Sequence, residues 1–262
     1  MSRLTAAGLV VRRGGRDIVR DVSATLASGM FVALVGANGA GKSTLLSCLA
    51  GLLKPDGGEV TLDGVPLAGL DRRDLARRRA YLPQALRAEW PISVERLVAL
   101  GLIPQLPAFG GLPGGFEPRL TRAIEAFDLA EHRFQPATTL SGGELARAML
   151  ARALVGDPEM VLVDEPTSGL DPRHALDTAG RLRRLATEGG KLVVATLHDM
   201  TLAARHATHL MALRDGALVS FGPTAETLTP SLLRAVFDVE ACVSGEGREV
   251  YVDYTGPAAA GG

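Results

Sequence analysis

Phe31-Val32-Ala33-Leu34-Val35-Gly36-Ala37-Asn38-Gly39-Ala40-Gly41-Lys42-Ser43 is an apolar run that ends on G-x-x-x-x-G-K-[ST] and passes into the helix-like stretch Thr44 to Leu53. Strand, glycine-rich turn and helix in that order are the context in which this motif cradles phosphate. The glycines let backbone N–H groups point inward, and the helix N-terminus adds positive potential. Lys42 is placed to reach the β- and γ-oxygens of a nucleotide, and the Ser43 hydroxyl to ligate Mg2+. Gly36, Asn38, Gly39, Gly41, Lys42, Ser43 and Thr44 are therefore the candidate nucleotide contacts. A merely tight strand-to-helix connection is the plain alternative, and it leaves Lys42-Ser43 without a reason.

Two more short apolar runs, Met160 to Val163 and Lys191 to Thr196, are bounded by turn residues and followed by helical spacing. Apolar strands alternating with helices predict a parallel sheet covered on both faces. Asp164-Glu165 closes the first of these runs at the carboxyl edge, where open α/β sheets bind ligands. Asp164 suits a Mg2+ ligand, and Glu165 suits a group that orients the attacking water or accepts its proton. Thr61-Leu62-Asp63-Gly64, and Leu210 to Ser220 around Asp215-Gly216, read as hairpin pieces of a smaller β-meander flanking the main sheet. Val94 to Leu100, Arg119 to Leu129 and Leu145 to Val155 carry helical spacing with almost no strand signal between them. A helical subdomain over 85–158, inserted into a core made of 1–84 and 159–262, is the expected organisation. Ile103 to Pro118, dense in Pro and Gly, is expected to be a loop. Gly256 to Gly262 is expected to be a frayed tail.

Composition narrows the function classes. Of 262 residues, 47% are hydrophobic and 22% charged, which supports a packed core rather than a disordered chain. Lys+Arg at 28 against Asp+Glu at 29 leaves a net charge of −1, so no basic excess points to nucleic acid. No apolar stretch reaches the length of roughly 18 residues that a spanning helix needs. The first residues lack a signal-peptide cleavage pattern, so a cytoplasmic location is expected. Cys48 and Cys242, the only cysteines, suit a reducing compartment. Cys48 reads as packing, His206 and His209 as ordinary surface or core residues, and Arg72, Arg73, Arg77, Arg78 and Arg79, mixed with Asp71 and Asp74, as a solvated face.

Leu140-Ser141-Gly142-Gly143-Glu144 lies about 20 residues before Asp164. Ser141 and Glu144 form an S-x-x-E capping box, while Gly142-Gly143 leave the first N–H groups of the helix bare for an anion. This turn resembles the signature of ATP-binding-cassette (ABC) ATPases, and the other family motifs fall in the expected order. The resemblance spans roughly residues 4 to 240. It implies a P-loop NTPase (RecA-like) α/β core with an antiparallel β subdomain and an inserted helical subdomain. It also implies a homodimer sandwiching two ATP molecules, in which Ser141, Gly142 and Gly143 of one chain contact the γ-phosphate held by the other. Gln84, in Tyr81-Leu82-Pro83-Gln84, resembles the loop glutamine that senses Mg2+ and the attacking water. Asp171, in Ser168-Gly169-Leu170-Asp171, resembles the loop that crosses the dimer interface, and His198 the switch histidine that contacts the γ-phosphate. Lys42, Gln84, Glu165 and His198 are thus the implied catalytic set.

Ile92 to Gly101 and Thr196-Leu197-His198-Asp199-Met200 look like the importers of iron chelates, haem and cobalamin. That likeness implies integral membrane permease subunits, a separate solute-binding protein, and a place on the cytoplasmic face of the membrane. Trp90 lies where family members face the permease. An exporter subunit carries nearly the same motifs. A DNA-repair cassette needs a long coiled coil between phosphate loop and signature, and Thr44 to Thr139 shows no sustained heptads.

One departure from the family concerns the base. Near residue 13 the family usually carries an aromatic that stacks on adenine, whereas Gly8 to Val19 contains none and Arg13 occupies the position. A guanidinium can stack on a purine face in the aromatic's place; the alternative is that adenine is held loosely and base selectivity is poor. GTP is therefore expected to compete with ATP better than is usual for the family, and a strict ATP preference in nucleotide-binding titrations would refute this.

Overall fold

The computed structural model describes residues 2–84, 88–106 and 115–258. Its elements run β1 (Arg3–Arg13), β2 (Arg16–Ala27), β3 (Phe31–Gly36), α1 (Lys42–Leu49), β4 (Gly57–Leu62), β5 (Val65–Pro66), α2 (Arg72–Arg78), β6 (Arg79–Leu82), α3 (Val94–Ala99), α4 (Glu117–Ala126) and α5 (Gly142–Leu154). They continue with β7 (Met160–Val163), α6 (Pro172–Thr187), β8 (Leu192–Thr196), α7 (Met200–His206), β9 (His209–Arg214), β10 (Ala217–Pro223), α8 (Thr224–Thr227), α9 (Pro230–Phe237), β11 (Val239–Ser244) and β12 (Tyr251–Pro257).

The main sheet has the order β10-β9-β3-β8-β7-β6, with β9, β3, β8, β7 and β6 parallel. Its central strands are buried on both faces, and alternation divides them between two cores. Phe31, Ala33, Val35, Val161, Val163, Val193 and Ala195 pack toward the helices. Val32, Leu34, Met160, Leu162, Leu192 and Val194 pack toward α1 and the second sheet, ordered β2-β1-β4-β5. That second, antiparallel sheet contains the Asp63-Gly64 hairpin. The Asp215-Gly216 hairpin is placed differently from the expectation: β9 pairs with β3, so β9 and β10 extend the main sheet and belong to no flanking meander. The tail expectation is also corrected, because Gly256 and Pro257 pair with Glu240 and Val239 in a β11–β12 hairpin. Residues 259–262 lie outside the described residues, as do 107–114 of the Pro/Gly-rich stretch.

The arginine run is not uniformly solvated. Arg73 and Arg77 donate to the Pro104 carbonyl at 3.0 and 2.8 Å, and Arg78 pairs with Glu159 at 2.7 Å and with Asp63. Arg79 is half-buried, and its Nη1 has no hydrogen-bond partner among the described residues. No described helix is long and apolar enough to cross a membrane.

Between β6 and β7 the regular elements of the described residues are helices, and α3 meets α5 at close range. Gly101, just after α3, is the contact point: a Cβ there would overlap the Arg152 carbonyl and lie 2.7 Å from Val155 Cγ1. Gly101→Ala is expected to cost about 2 kcal/mol through overpacking, a fall of roughly 4–8 °C in melting temperature for a chain of this size. Gly69→Ala, where the added Cβ meets nothing within 4 Å, is the control. Equal melting temperatures for the two variants would refute this packing.

Candidate functional site

The phosphate loop starts where β3 runs out of partners and ends where α1 begins. Gly41, the N-cap of α1, has φ +92°, in the left-handed region that favours glycine. A Cβ at Gly41 would also run into the Ile18 carbonyl of β2, so the second sheet braces the loop from outside. A Cβ at Gly36 would meet the Leu213 carbonyl of β9. Lys42 is only 6% exposed, and its Nζ donates to the Gly36 and Ala37 carbonyls at 2.8 and 3.0 Å. Burial pushes the Lys42 pKa down, while the charges of Glu165 and Asp164 oppose the shift. Asn38, Gly39 and Ser43 stand exposed on the rim, with Thr44 half-buried behind them. A buried cationic floor under an open rim of N–H and hydroxyl groups suits a chain of phosphates.

The acidic pair sits on the neighbouring strand ends. Asp164, 6% exposed, accepts a hydrogen bond from the fully buried Thr196 hydroxyl at 2.7 Å. The same hydroxyl accepts the Glu165 N–H at 2.6 Å, so one side chain of β8 fixes both acidic residues. Glu165 has φ +48°, an uncommon conformation for a residue with a Cβ. Its carboxylate is held from two sides. Gln84 Nε2 donates to one oxygen at 2.7 Å, and His198 Nε2 lies 2.6 Å from the other. Because an ionised carboxylate only accepts, the His198 proton in this contact is on Nε2. A cavity of about 440 Å3 opens beside Glu165, Ser168, His198 and Asp199. The described residues contain no cluster of three or more His, Cys, Asp or Glu that could hold a metal. Apart from the Glu165 carboxylate, taken up by Gln84 and His198, the oxygen groups that the expected metal-holding residues offer are the Ser43 hydroxyl, the Asp164 carboxylate and the Gln84 amide. So sparse a set fits Mg2+, which takes its remaining ligands from phosphate and water.

The signature turn forms a second cluster. Ser141 N donates to Glu144 Oε2 at 2.8 Å and Ser141 Oγ accepts the Glu144 N–H at 3.4 Å, closing the capping box. The Ser141 N–H holds the Glu144 carboxyl below its usual range. Asp171 caps α6 in the same way: its oxygens accept the His174 N–H at 3.0 Å and face His174 Nδ1 at 2.6 Å. The His174 ring lies over Gly143, where a Cβ would come within 3.1 Å of it, while a Cβ on Gly142 would meet nothing. The two glycines thus have different reasons: Gly142 keeps the turn open, and Gly143 makes room for His174. Ala146 and Leu150 of α5 flank Gln84, Asp164 and Glu165, which ties this cluster to the first.

Arg13 stands exposed at the end of β1, its Nη1 donating to the Arg12 carbonyl at 3.0 Å. It lies near α1, since its charge opposes the burial that pushes the Cys48 thiol up to about 11. Sequence reasoning missed Thr196, whose only signal is that of a strand former, as well as His174 and the Ile18 carbonyl. Thr196→Val keeps the shape but leaves the buried Asp164 oxygen and the Glu165 N–H unpartnered, at about 1–3 kcal/mol each. Turnover is expected to fall by roughly one to two orders of magnitude with nucleotide affinity little changed. Wild-type turnover in the valine variant would overturn the role given to that hydroxyl.

Residues 19–168 match the family described as "ABC transporter". The Hemin import ATP-binding protein HmuV of Bordetella parapertussis is 41% identical over 248 residues, covering 92% of this chain and 94% of that protein. The Iron(3+)-hydroxamate import ATP-binding protein FhuC of Bacillus subtilis is 34% identical over 241 residues, with 92% and 90% covered. Among solved structures, a metal-chelate type ABC transporter in an inward-facing conformation superposes with TM-score 0.83 at 23% identity, over 98% of both chains. A dimeric bacterial ABC transporter cassette gives 0.73 at 29% identity, over 84% of this chain and 98% of that one. A phosphate loop, a capped Ser-Gly-Gly turn and an acidic strand end, in this order and on this fold, agree with those matches: the chain belongs to the ABC transporter family, as one of its ATPases.

Proposed function

We propose that this chain is the ATP-hydrolysing subunit of an importer for haem or another iron chelate, working as a homodimer on the cytoplasmic face of the membrane. Its partners would be integral permease subunits and a separate solute-binding protein. The names of the relatives support the solute class, and the absence of any described membrane-crossing helix requires another chain to provide the path. The observation that carries the chemical part is the Glu165 carboxylate, clamped between Gln84 and His198 at the sheet edge next to the phosphate loop.

In this reading the loop from Gly36 to Thr44 holds the phosphates, with Lys42 against the β- and γ-oxygens and Arg13 against the base. Ser43, Asp164 and Gln84 would hold Mg2+, whose chemical contribution is to neutralise charge on the phosphate oxygens. Glu165 orients a water and accepts its proton as the water oxygen attacks the γ-phosphorus. The bond from that phosphorus to the β–γ bridging oxygen breaks, leaving ADP and inorganic phosphate. His198, holding Glu165 through Nε2–H, is placed to turn the same N–H toward a γ-oxygen as negative charge develops there. Ser141, Gly142 and Gly143 of the partner would close the site from above, with Asp171 at the seam. The division into a core of 1–84 and 159–262 and a helical unit of 85–158 gives that closure its two moving parts.

Glu165→Gln keeps the shape and removes the proton acceptor. With saturating MgATP the variant is expected to elute as a stable dimer that does not turn over. A variant that stays monomeric in sizing runs would overturn the sandwich. For the solute, loss of haem or iron-chelate uptake on deletion of the chain, together with co-purification of a polytopic membrane protein, is the expected pair of results. A chain isolated without any membrane protein would refute the transport reading.

A further inference from the structure

A cavity of about 460 Å3 lies on the far side of α7, between that helix, α8 and the C-terminal hairpin. Arg183, Arg205 and Arg248 line it, together with the apolar residues Leu228, Val243 and Ala225. None of the three arginines is in an ion pair among the described residues. Arg183 Nη1 donates to the His206 carbonyl at 3.0 Å, and Arg205 Nε donates to the Val250 carbonyl at 2.7 Å. Each of these bonds engages one edge of a planar fork and leaves further N–H donors for another acceptor. Arg248, exposed on the turn between β11 and β12, has no hydrogen-bond partner of its own among the described residues. All three charges converge on half-buried His206, whose pKa burial pushes down and the three arginines push further the same way. Glu246 is the one acidic residue in the lining.

Three cations gathered around an apolar hollow repel one another unless an anion joins them. We propose that this cavity binds a small organic anion, a phosphate or carboxylate on a compact apolar body. The anion is gripped by Arg183, Arg205 and Arg248, and its apolar part lies against Leu228 and Val243. Guanidinium forks match both oxyanions in geometry. The site is separate from the nucleotide site and close to it. Arg205 also lines the cavity beside Glu165 and His198, so α7 forms a wall of both. The hairpin is tied to this helix by the Arg205 contact and by the Val252 N–H, which donates to Thr201 Oγ1 at 3.1 Å.

The test is calorimetric titration of the full chain with phenyl phosphate and, separately, benzoate, with MgADP saturating throughout so that the phosphate loop is taken. One saturable site per chain for at least one probe is expected, and the stronger probe tells which oxyanion the site prefers. Arg248→Glu, an exposed substitution, is expected to weaken that binding about tenfold or more, the loss of one charge-assisted contact. Ala225→Phe, at the exposed mouth, is expected to block it. MgADP affinity and melting temperature should stay unchanged in both variants. Absence of binding for both probes, or binding that Arg248→Glu leaves within about twofold of wild type, would overturn the proposal.

Discussion

Everything at the site depends on the register of four parallel strands. Leu34 stands beside Thr196, Ala195 beside Val163, and Val163 beside Leu82, so β3, β8, β7 and β6 end along one line. The ladder continues one step past the strands, with Leu197 N–H on the Leu34 carbonyl at 3.2 Å and Asp164 N–H on the Leu82 carbonyl at 2.9 Å. Along that line the chain releases the phosphate loop, His198, the Asp164-Glu165 pair and Gln84. Slipping one strand by one residue would exchange the two cores, because odd and even residues face different layers. Packing on both sides therefore sets the positions of the polar groups, and Thr196, Gln84 and His198 then fix the acidic pair.

The same packing explains what could be read from the sequence. β3, β7 and β8 are buried on both faces and announce themselves as unbroken apolar runs with turn residues at each end. The phosphate loop, the acidic pair and the capping box are local in the chain and were legible for that reason. β1 and β2 were not, since each has one exposed face and is broken by irregular register at Gly8 and near Asp21, which dilutes the alternation. The sheet that receives β9 depends on its partner β3, nearly 180 residues away in sequence, and no local pattern encodes such pairings. Thr196 stayed hidden because a threonine in a strand ordinarily signals only β propensity.

Charge shows a similar division between local and distant causes. Arg72 to Arg79 reads as a solvated stripe, yet the fold gives its members separate partners: the Pro104 carbonyl for Arg73 and Arg77, Asp63 and Glu159 for Arg78. Conversely Arg183, Arg205 and Arg248 are scattered in sequence and meet only because α6, α7 and the C-terminal hairpin pack together. Spacing along the chain is a fair guide to what caps a helix and a poor guide to which like charges become neighbours.

The seat of His174 on Gly143 has a mechanical meaning for a single chain. Asp171 grips the imidazole from one side and the signature turn receives it on the other. Only five residues lie between Glu165 and Asp171, and Gln84 and His198 hold Glu165 in turn. A displacement of the Ser-Gly-Gly turn therefore has a short route to Glu165, by way of the His174 ring and the Asp171 carboxylate that holds it. The room that Gly143 leaves for one imidazole thus joins the signature turn to the segment that leads back to Glu165 within a single chain.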